Sequence, residues 1–504
     1  MSDILFTHSY FLKLDPKEHK AMMPYAPLGT LYAAAQLRRE GHSVAVFDSM
    51  LAGSEQDIIP LLKYDRPEIV VLYDDDFNYL TKMCLTAMRE AAFRMCRLAK
   101  ESGCTVIVHG SDPTDHAASY LGQGADYVII GEGEVTLVEL VNRLRHKTAA
   151  PLSSINGIAY SECGEVARTH RREVLTDLDV LPFPARDLVQ TEQYRSLWKR
   201  RHGYFSMNMV TTRGCPFHCN WCAKPIYGQV YHSRSPENVV EEMLMLKKDF
   251  RPDHIWFCDD IFGLRPGWLE RFSEVNGLRQ ATIPYKCLSR ADLLLKDDAI
   301  ESLARSGCQT VWMGAESGSQ RILDAMEKGT TIEQIYRSTR ILHDRGIRVG
   351  FFLQYGYPGE TKEDIELTLA MVKESKPDEI GISVSYPLPG TKFYENVKQD
   401  LGEKHNWVDS KDLDLMYAGT YSSDFYRALH TVTHKKFRIW QGMETIHRAF
   451  SHPASVADKK VIRRILATGY HAATLPRYLA RFHSLANAHS VANEQANRRN
   501  PGNI

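Results

Sequence analysis

Residues 213–224 read RGCPFHCNWCAK and place Cys215, Cys219 and Cys222 at the spacing C-x-x-x-C-x-x-C. A structural zinc site usually pairs two C-x-x-C units, or one such unit with two histidines, and a thioredoxin-like site needs only two cysteines. Iron–sulfur clusters take several thiolates from one short loop. Three ligands on a four-iron cube would leave one iron open to a substrate or cofactor. The alternatives are three buried thiols, or a zinc loop that also uses His218.

Six strand-and-helix units begin at about residue 205, directly before this motif. The predicted strands are six apolar runs, in order FSMNMVTT, HIWFCDD, PYKCLSR, TVWMGAES, RVGFFLQYG and EIGISVSY. Helical stretches such as SPENVVEEMLMLKKDF separate them. Six such units predict a partial (β/α)6 barrel of parallel strands over residues 200–395, with its site at the carboxyl ends of the strands. Residues 396–504 show no regular pattern of strands, and we expect a mostly helical C-terminal domain there.

Another α/β domain is predicted over residues 1–150. Five buried strands, DILFTHSYF, SVAVFD, EIVVLYDDD, TVIVHGSD and DYVIIGEGE, alternate with helical segments, of which the longest covers roughly 78–101. Continuous apolar strands that alternate with helices indicate a parallel, doubly wound, Rossmann-like sheet. Ligands of such folds bind at the carboxyl edge of the sheet, where Asp48 and the runs DDDFN, HGSD and GEGE lie.

Residues 151–199 connect the two predicted α/β domains. The stretch GIAYSECGEVARTH, at 157–170, predicts a small hairpin with Cys163 and Gly164 at its turn. LTDLDVLPFPARD, at 175–187, is rich in proline and polar residues and predicts a linker.

Composition narrows the classes of protein that fit this chain. Its 504 residues are 43% hydrophobic and 25% charged, as in an ordinary globular protein that is too long for one core. Lys and Arg number 62, as do Asp and Glu, so overall charge gives no reason to expect nucleic acid as a partner. The N-terminus lacks the basic and apolar regions of a secretory signal, and no apolar run approaches the ~20 residues that span a bilayer. We therefore expect a cytoplasmic protein.

Two stretches of the C-terminal domain have compositions that suggest contact with a substrate or with a membrane surface. Residues 412–440 are rich in aromatic residues and His, which predicts either an apolar cavity that contacts the substrate or the core of a helical cap. Between Lys459 and Ile504 there are eight Lys or Arg and one acidic residue, with an apolar face at rough helical spacing that Pro476 interrupts. Such a basic amphipathic segment is typical of peripheral contact with anionic lipid. The alternative is a helix packed on the protein with a solvated basic rim.

With these motifs in place, the sequence resembles the radical S-adenosylmethionine superfamily over roughly 200–395. There the open iron of the cluster binds the amino and carboxylate groups of S-adenosylmethionine, and an aromatic residue before the last cysteine lies beside the adenine. The strand ends FCDDIFG, CLSRADLL, GAESGS and GFFLQYGYPGET follow the cysteines in the order of that family. The resemblance implies that S-adenosylmethionine contacts Trp221, Asp259, Asp260, Arg290, Glu316 and Ser317.

Each of these residues also has a purely structural alternative. Asp259 and Asp260 could cap the helix that follows them, since Asp is common near helix starts. Arg290 could be a surface ion-pair partner. Glu316 could cap the helix that begins near Gln320.

The first domain resembles the cobalamin-binding domain of one large subclass of these enzymes. The resemblance lies in PYAPLGTLYAAAQLRREGHSVAVFD and GADYVIIGEGEVTLVEL. That subclass includes the anaerobic magnesium-protoporphyrin monomethyl ester cyclases and many cobalamin-dependent methylases. The resemblance implies a cobalamin site formed by Asp74, Asp75, Asp76, Asn78, Gly110, Ser111 and Gly131.

The chain departs from the mutase-type cobalamin proteins, which carry D-x-H-x-x-G, because that string is missing here. The resemblance therefore implies cobalamin with its own base detached and no His below the cobalt. A Rossmann-like domain whose glycines only make turns is the alternative. A nicotinamide site is less expected, because no G-x-G-x-x-G follows the first strand.

Taken together, the resemblance implies an oxygen-sensitive enzyme that uses a [4Fe-4S] cluster, S-adenosylmethionine and cobalamin. It would form a 5′-deoxyadenosyl radical and methylate an unactivated carbon of a small molecule or natural product, with electrons from an external one-electron reductant of the flavodoxin or ferredoxin type. The first alternative is an oxidative cyclase or rearrangement enzyme acting on a porphyrin-like or lipid substrate. The second is a non-catalytic carrier of cluster and corrin. No catalytic side chain is assigned from the sequence.

Overall fold

The structure is a computed structural model that describes residues 2–77, 86–149, 151–401, 413, 415–417, 419–451 and 458–499. Its strands are β1 (Ile4–Thr7), β2 (Val44–Val46), β3 (Ile69–Tyr73), β4 (Thr105–His109), β5 (Tyr127–Ile129), β6 (Ile158–Glu162), β7 (Glu165–Arg168), β8 (Ser206–Met209), β9 (Thr212–Arg213), β10 (His232–Ser233), β11 (His254–Phe257), β12 (Tyr285–Ser289), β13 (Cys308–Glu316), β14 (Arg348–Tyr355) and β15 (Glu379–Val384). Its α-helices are Pro16–Ala21, Leu28–Arg39, Ile59–Asp65, Thr86–Glu101, Ser111–Asp115, Ala117–Leu121, Glu134–Leu144, Thr191–His202, Pro236–Met245, Trp268–Leu278, Ala291–Leu294, Ala299–Arg305, Gln320–Ala325, Ile332–Asp344, Lys362–Ser375, Lys392–Val397, Ser423–Ser451 and Lys459–Arg499.

The first sheet has the strand order β2-β1-β3-β4-β5-β6-β7. Strands β1 to β5 are parallel, which confirms the five predicted strands and the doubly wound domain. Strand β3 is buried on both faces, because helices cover both sides of the sheet. The predicted hairpin forms as β6 and β7, and it extends the first sheet because β6 pairs antiparallel with β5.

The second sheet has the order β15-β14-β13-β12-β11-β8, and all its neighbours are parallel. The six predicted strands and the partial barrel are confirmed. Alternate residues of each strand point to opposite faces. Phe257, Val311 and Phe351 belong to the core that the outer helices cover. The opposite, concave face carries Trp256 and Trp312 and lies towards the first domain.

The C-terminal domain is helical, as predicted, and its two long helices pack on each other. Lys435 Nζ donates to Thr474 Oγ1 at 2.6 Å. Gly442 lies so close to Thr468 that a Cβ atom there would be 1.7 Å from the Thr468 Oγ1. The helix Lys459–Arg499 continues through Pro476, so the predicted interruption there is wrong. The helix Lys459–Arg499 thus packs on the protein itself, which is the alternative to contact with lipid.

Within the described ranges, none of the helices is both long enough and apolar enough to cross a membrane.

Candidate functional site

The three cysteines lie in one loop that follows the first barrel strand. The short antiparallel pair of β9 and β10 closes the base of this loop. Gly214 has φ 78, and a Cβ atom there would lie 2.2 Å from Val230 O, so only glycine fits. Within the loop, Cys222 N donates to Cys219 O at 3.2 Å. Cys215 is buried, whereas Cys219 and Cys222 are half-buried.

Positive charge surrounds the thiol of Cys219. Arg290 Nη1 lies 3.7 Å from Cys219 Sγ, and its guanidinium lies 3.7 Å from the centre of the Phe217 ring. Burial opposes the charge of Lys328, but the Glu316 carboxylate and the Cys219 thiol raise the pKa of Lys328 above its usual value. Cations beside a thiol favour the thiolate, which is the form that binds iron.

The donor set of this loop fits an iron–sulfur cluster. In the part of the chain that the structure describes, no three side chains of His, Cys, Asp or Glu are grouped as they would be around one metal ion. Thiolates that bind separate irons of a cluster need not converge on one point. Cys215, Cys219 and Cys222 would hold such a cluster, and Arg290 and Lys328 would balance its negative charge.

Asp259 and Asp260 follow β11 at the carboxyl edge of the barrel, but their surroundings differ. Asp259 is buried and accepts four hydrogen bonds of 2.7 to 3.0 Å, from the backbone N and the Oγ1 of Thr211 and of Thr212. Burial raises the pKa of Asp259 to about 6. Asp260 is exposed, and its charge raises the pKa of the Cys215 thiol, which burial also raises. The contacts of Asp259 therefore fix the segment before the cysteine loop.

The structural alternatives for the barrel residues are wrong. The next helix after β11 is Trp268–Leu278, with Gly267 at its N-cap, so neither aspartate caps it. Arg290 is buried, so its ion pair with Asp292, at 3.0 Å, is not a surface pair.

Glu316 does not cap a helix either. It makes a buried ion pair of 2.7 Å with Lys328, and its φ is 55. A left-handed backbone is uncommon for a non-glycine residue and marks a strained position at the end of β13.

The remaining predicted contacts of S-adenosylmethionine lie near this pair. Trp221 is half-buried, and its ring centre is 6.0 Å from Lys328 Nζ. Its Nε1 is buried and has no hydrogen-bond partner among the described residues. Ser317 is fully buried, and its Oγ lies 3.2 Å from Thr368 Oγ1. All the contacts assigned to S-adenosylmethionine stay predictions.

The GYPGET segment after β14 packs under the C-terminal domain. Tyr417 OH donates to Gly356 O, and Gly356 N donates to Glu360 Oε2 at 2.6 Å. The other carboxyl oxygen of Glu360 is buried and has no hydrogen-bond partner in the ranges that the structure describes. Burial raises the pKa of Glu360 to about 8, so the buried carboxyl group keeps its proton at neutral pH.

The carboxyl edge of the first sheet holds the residues predicted for cobalamin. Asp75 Oδ1 accepts from Gly29 N at 3.0 Å and from Phe77 N at 3.2 Å. Asp74 Oδ1 accepts from Ser9 N at 2.7 Å. Burial raises the pKa of both Asp74 and Asp75. Asn78 lies outside the described residues.

Gly110 and Gly131, also predicted for cobalamin, lie close to other parts of the protein. A Cβ atom at Gly110 would lie 2.9 Å from the Cβ of Asp74, and one at Gly131 would lie 3.5 Å from Ile226 O. Ser111 is buried.

Two buried histidines lie at the same edge of the first sheet. His109 Nε2 lies 2.8 Å from Gly131 O, and its Nδ1 lies 3.6 Å from Asp76 Oδ2. His8 Nε2 lies 3.1 Å from Asp48 Oδ1. Both rings are thus held by protein groups, in keeping with the prediction that no His lies below the cobalt, which stays a prediction.

Arg213 joins the two α/β domains beside the cysteine loop. Its guanidinium is buried and forms ion pairs with Glu132 and Glu134, the two carboxylates of GEGE, and a second contact with Glu134 measures 3.2 Å. Burial opposes ionisation of Glu134, but the charge of Arg213 holds the pKa of that carboxyl below its usual value. The GEGE run therefore fixes the residue that precedes Gly214 and Cys215.

A cavity of about 610 Å³ lies between the first domain and the concave face of the barrel. From the first domain, its wall contains Tyr10, Met50, Asp75 and Phe77. From the barrel, it contains Trp256, Cys258, Lys286, Leu288, Trp312 and Phe352. Cys258 directly precedes Asp259, and Leu288 is two residues before Arg290, so the cavity reaches the level of the predicted S-adenosylmethionine contacts. Of the residues predicted to face cobalamin, Asp75 lines this space.

Sequence reasoning missed four residues of this region. They are Arg213, Glu132, Glu134 and Lys328. Arg213 belongs to the motif RGCP and Lys328 lies nine residues after GAESGS, but their partners are 12 to 81 residues away in the chain. Glu132 and Glu134, two carboxylates one residue apart at a predicted strand end, were the one available signal for the link to Arg213. The residues 412–440, expected to contact substrate, are not among the described residues that line the cavity.

Comparison with known proteins agrees with this geometry. Residues 209–372 match the radical SAM superfamily, and residues 19–141 match the B12 binding domain. An uncharacterized methyltransferase of Pyrococcus horikoshii is 28% identical over 88% of this chain and 94% of its own length. The anaerobic magnesium-protoporphyrin IX monomethyl ester cyclase of Rubrivivax gelatinosus is 26% identical over 75% of this chain and 67% of its own. The cobalamin-dependent S-adenosylmethionine radical enzyme OxsB shares the fold, with a TM-score of 0.68, 18% identity, and coverage of 97% of this chain and 76% of its own.

Proposed function

The chain belongs to the cobalamin-dependent radical S-adenosylmethionine enzymes, and we propose that it methylates an unactivated carbon of a small molecule bound between its two α/β domains. The observation that carries the proposal is the 610 Å³ cavity, whose wall is shared by the cobalamin domain and the barrel. A substrate there would lie beside the residues predicted for both cofactors. Holding reacting groups in line and apart from water is the main task of a protein in such chemistry.

The cofactors supply the reactive chemistry when bound: a 5′-deoxyadenosyl radical from S-adenosylmethionine at the cluster, and a methyl group from cobalamin. The side chains of this protein hold them. Asp259 fixes Thr211 and Thr212, and thereby the start of the cysteine loop. Arg290 and Lys328 place positive charge at the thiol of Cys219.

The overall reaction balances with two S-adenosylmethionine cations and two electrons. One substrate C–H becomes C–CH3, and the hydrogen leaves in 5′-deoxyadenosine, which is released with methionine and S-adenosylhomocysteine. We expect the electrons to come from an external one-electron reductant of the flavodoxin or ferredoxin type.

Methylation is favoured over oxidative cyclisation. The methyltransferase relative aligns with more of this chain, and at higher identity, than the cyclase relative does. Both reactions need the radical, so the products distinguish them. A methylase yields S-adenosylhomocysteine and a substrate that is heavier by one methylene, whereas a cyclase yields a product that has lost hydrogen or gained oxygen.

The direct test is an anaerobic incubation of the holoenzyme with S-adenosylmethionine, a reductant and a metabolite extract. Mass spectrometry should find 5′-deoxyadenosine, S-adenosylhomocysteine and one metabolite heavier by a methylene. A protein that produces none of the three would be a carrier, and one that makes 5′-deoxyadenosine with an oxidised metabolite would be a cyclase. The variant Cys219→Ala, which lacks a predicted iron ligand, is the negative control.

A further inference from the structure

Lys286 lies on the concave wall of the cavity. It is on β12, in register with Trp256 of β11 and Thr310 of β13, both of which line the same space. Its ammonium lies 4.9 Å from the centre of a Trp256 ring and 5.7 Å from that of Tyr25. Contacts of this length to aromatic faces stabilise a cation but leave its hydrogen-bond donors unused.

No carboxylate forms an ion pair with Lys286 within 4.0 Å among the residues that the structure describes. Four acidic residues line the cavity, and two of these have partners elsewhere. Asp75 accepts two backbone N–H groups, and Asp253 pairs with Lys199 at 2.5 Å. The other two, Glu18 and Glu379, influence Lys286 only from beyond ion-pair distance.

Lys286 remains a cation in this position. Burial lowers its pKa to about 8, while the charge of Glu379 acts in the opposite direction. Lys286 is therefore protonated in most molecules at neutral pH. An ammonium group that faces a cavity without a partner is an expensive arrangement unless a ligand brings an anion.

Two pairs of aromatic rings also lie on the wall of the cavity. The rings of Tyr25 and Trp256 have centres 4.8 Å apart, and those of Trp312 and Phe352 have centres 4.7 Å apart. Phe352 is 41% exposed, which is unusual for a Phe on a barrel strand. The two aromatic pairs offer faces on which a planar or chain-like apolar ligand would pack.

We propose that this part of the cavity binds the anionic end of an apolar or aromatic substrate, with a carboxylate or similar anion on the Lys286 ammonium. The inference rests on the proposed function and names the substrate class for its site. Lys286 is four residues before Arg290, and strands rise by about 3.3 Å per residue. The reacting carbon should therefore lie on the order of 10 Å from the anionic group, which describes an elongated molecule.

The test compares two probes of the same shape, 1-naphthaleneacetate and 1-naphthaleneacetamide, by anaerobic equilibrium dialysis against the holoenzyme. Four proteins are compared: the wild type, Lys286→Met, Lys286→Arg and Lys63→Met. Lys63 is exposed on the helix Ile59–Asp65, so its variant removes the same charge away from the cavity. Cobalamin and iron contents of each preparation are measured first.

The wild type should bind the acetate more tightly than the amide. Lys286→Met should weaken binding of the acetate by about tenfold or more and that of the amide by less than about twofold, because a hydrogen bond to a charged group is lost. Lys286→Arg should restore the preference for the acetate, and Lys63→Met should behave as wild type.

Three results would overturn the inference. They are a wild type without preference between the probes, a Lys286→Met variant that loses both probes equally, and a variant that loses cobalamin, which would assign Lys286 to the cofactor. The proposed function is judged separately, by 5′-deoxyadenosine and S-adenosylhomocysteine formation. A holoenzyme that prefers the acetate but forms neither product would retain this inference and lose that function.

Discussion

Replacing Arg213 by Met should destabilise the protein strongly and in a pH-dependent way. Arg213 is the buried partner of both Glu132 and Glu134. The variant leaves two neighbouring carboxylates buried without a counter-charge, although Glu132 keeps its hydrogen bond of 2.5 Å from Leu175 N. Breaking a buried ion pair in this manner costs about 3 to 5 kcal/mol.

The cost can be worked out from the proton that such a carboxylate takes up. An ordinary Glu has a pKa of about 4.3, and each pH unit above it corresponds to about 1.36 kcal/mol. Protonating one buried carboxylate in the variant then costs at most about 3.7 kcal/mol at pH ~7, and about 1.6 kcal/mol at pH ~5.5. The folded variant holds a proton that the unfolded chain has released, so the variant loses stability as the pH rises from about 4.3.

Thermal unfolding, followed by circular dichroism at one scan rate, measures this effect. At neutral pH, a loss of about 4 kcal/mol should lower the midpoint by about 4 °C for a chain of 504 residues, with a smaller decrease at pH ~5.5. The variant Arg213→Met/Glu132→Gln/Glu134→Gln should recover most of the loss, because no buried charge remains.

The matched control for that experiment is Arg279→Met. Arg279 makes an exposed ion pair of 2.8 Å with Glu241, so its loss should cost at most about 1 kcal/mol. The reasoning would be refuted by an Arg213→Met variant that melts like this control, or by one whose deficit is the same at both pH values.

Three further predictions concern the other parts of the site. Burial raises the pKa of Glu360 to about 8, so the stability of the wild type should fall as the pH rises from about 4.5 to 8. Glu360→Gln should abolish this fall in denaturation midpoints measured across that range. Wild-type and variant midpoints that change in parallel with pH would contradict this. Anaerobic reconstitution should give about four irons per chain, and alanine at Cys215, Cys219 and Cys222 together should remove them; retained iron would place the cluster elsewhere. Electron paramagnetic resonance of the Co(II) form should show no nitrogen splitting, whereas a nitrogen triplet, from a histidine or from the base of cobalamin itself, would contradict the prediction of a detached base and no His below the cobalt.

The strands and their order along the chain could be predicted from the sequence, because each strand gives a local pattern of residues. The parallel strands read as apolar runs, and polar residues mark their carboxyl ends. The same local signal placed Asp259, Asp260, Arg290 and Glu316 at one edge of the barrel, where the structure has them.

What the sequence did not reveal depends on pairing between distant residues. Nothing local indicates that Asp259 takes its donors from Thr211 and Thr212, or that Glu316 pairs with Lys328. The structure needs each of these pairs, because a buried charge without a partner is costly. Such partners come from other elements, and only the three-dimensional arrangement identifies them.

The contacts between the two α/β domains limit how a substrate reaches the cavity. Segment 22–26 of the first domain is held by hydrogen bonds to the helix Thr191–His202 and to β8, among them Trp198 Nε1 to Pro24 O at 2.7 Å and Asn208 Nδ2 to Ala26 O at 2.9 Å. Together with the buried Arg213 ion pairs, these contacts oppose separation of the domains.

The cavity is instead open at the amino ends of the barrel strands. The wall residues Gln309, Arg348 and Glu379 lie there and are exposed. Lys286 is the second residue of β12 and lies near that end. The residues predicted to contact the cofactors lie at the opposite end of the strands. A substrate that enters by this opening must advance its apolar end first and keep its anion behind, because charge is costly to carry between aromatic walls. The same orientation places an unactivated carbon, rather than the polar group, next to the predicted S-adenosylmethionine contacts.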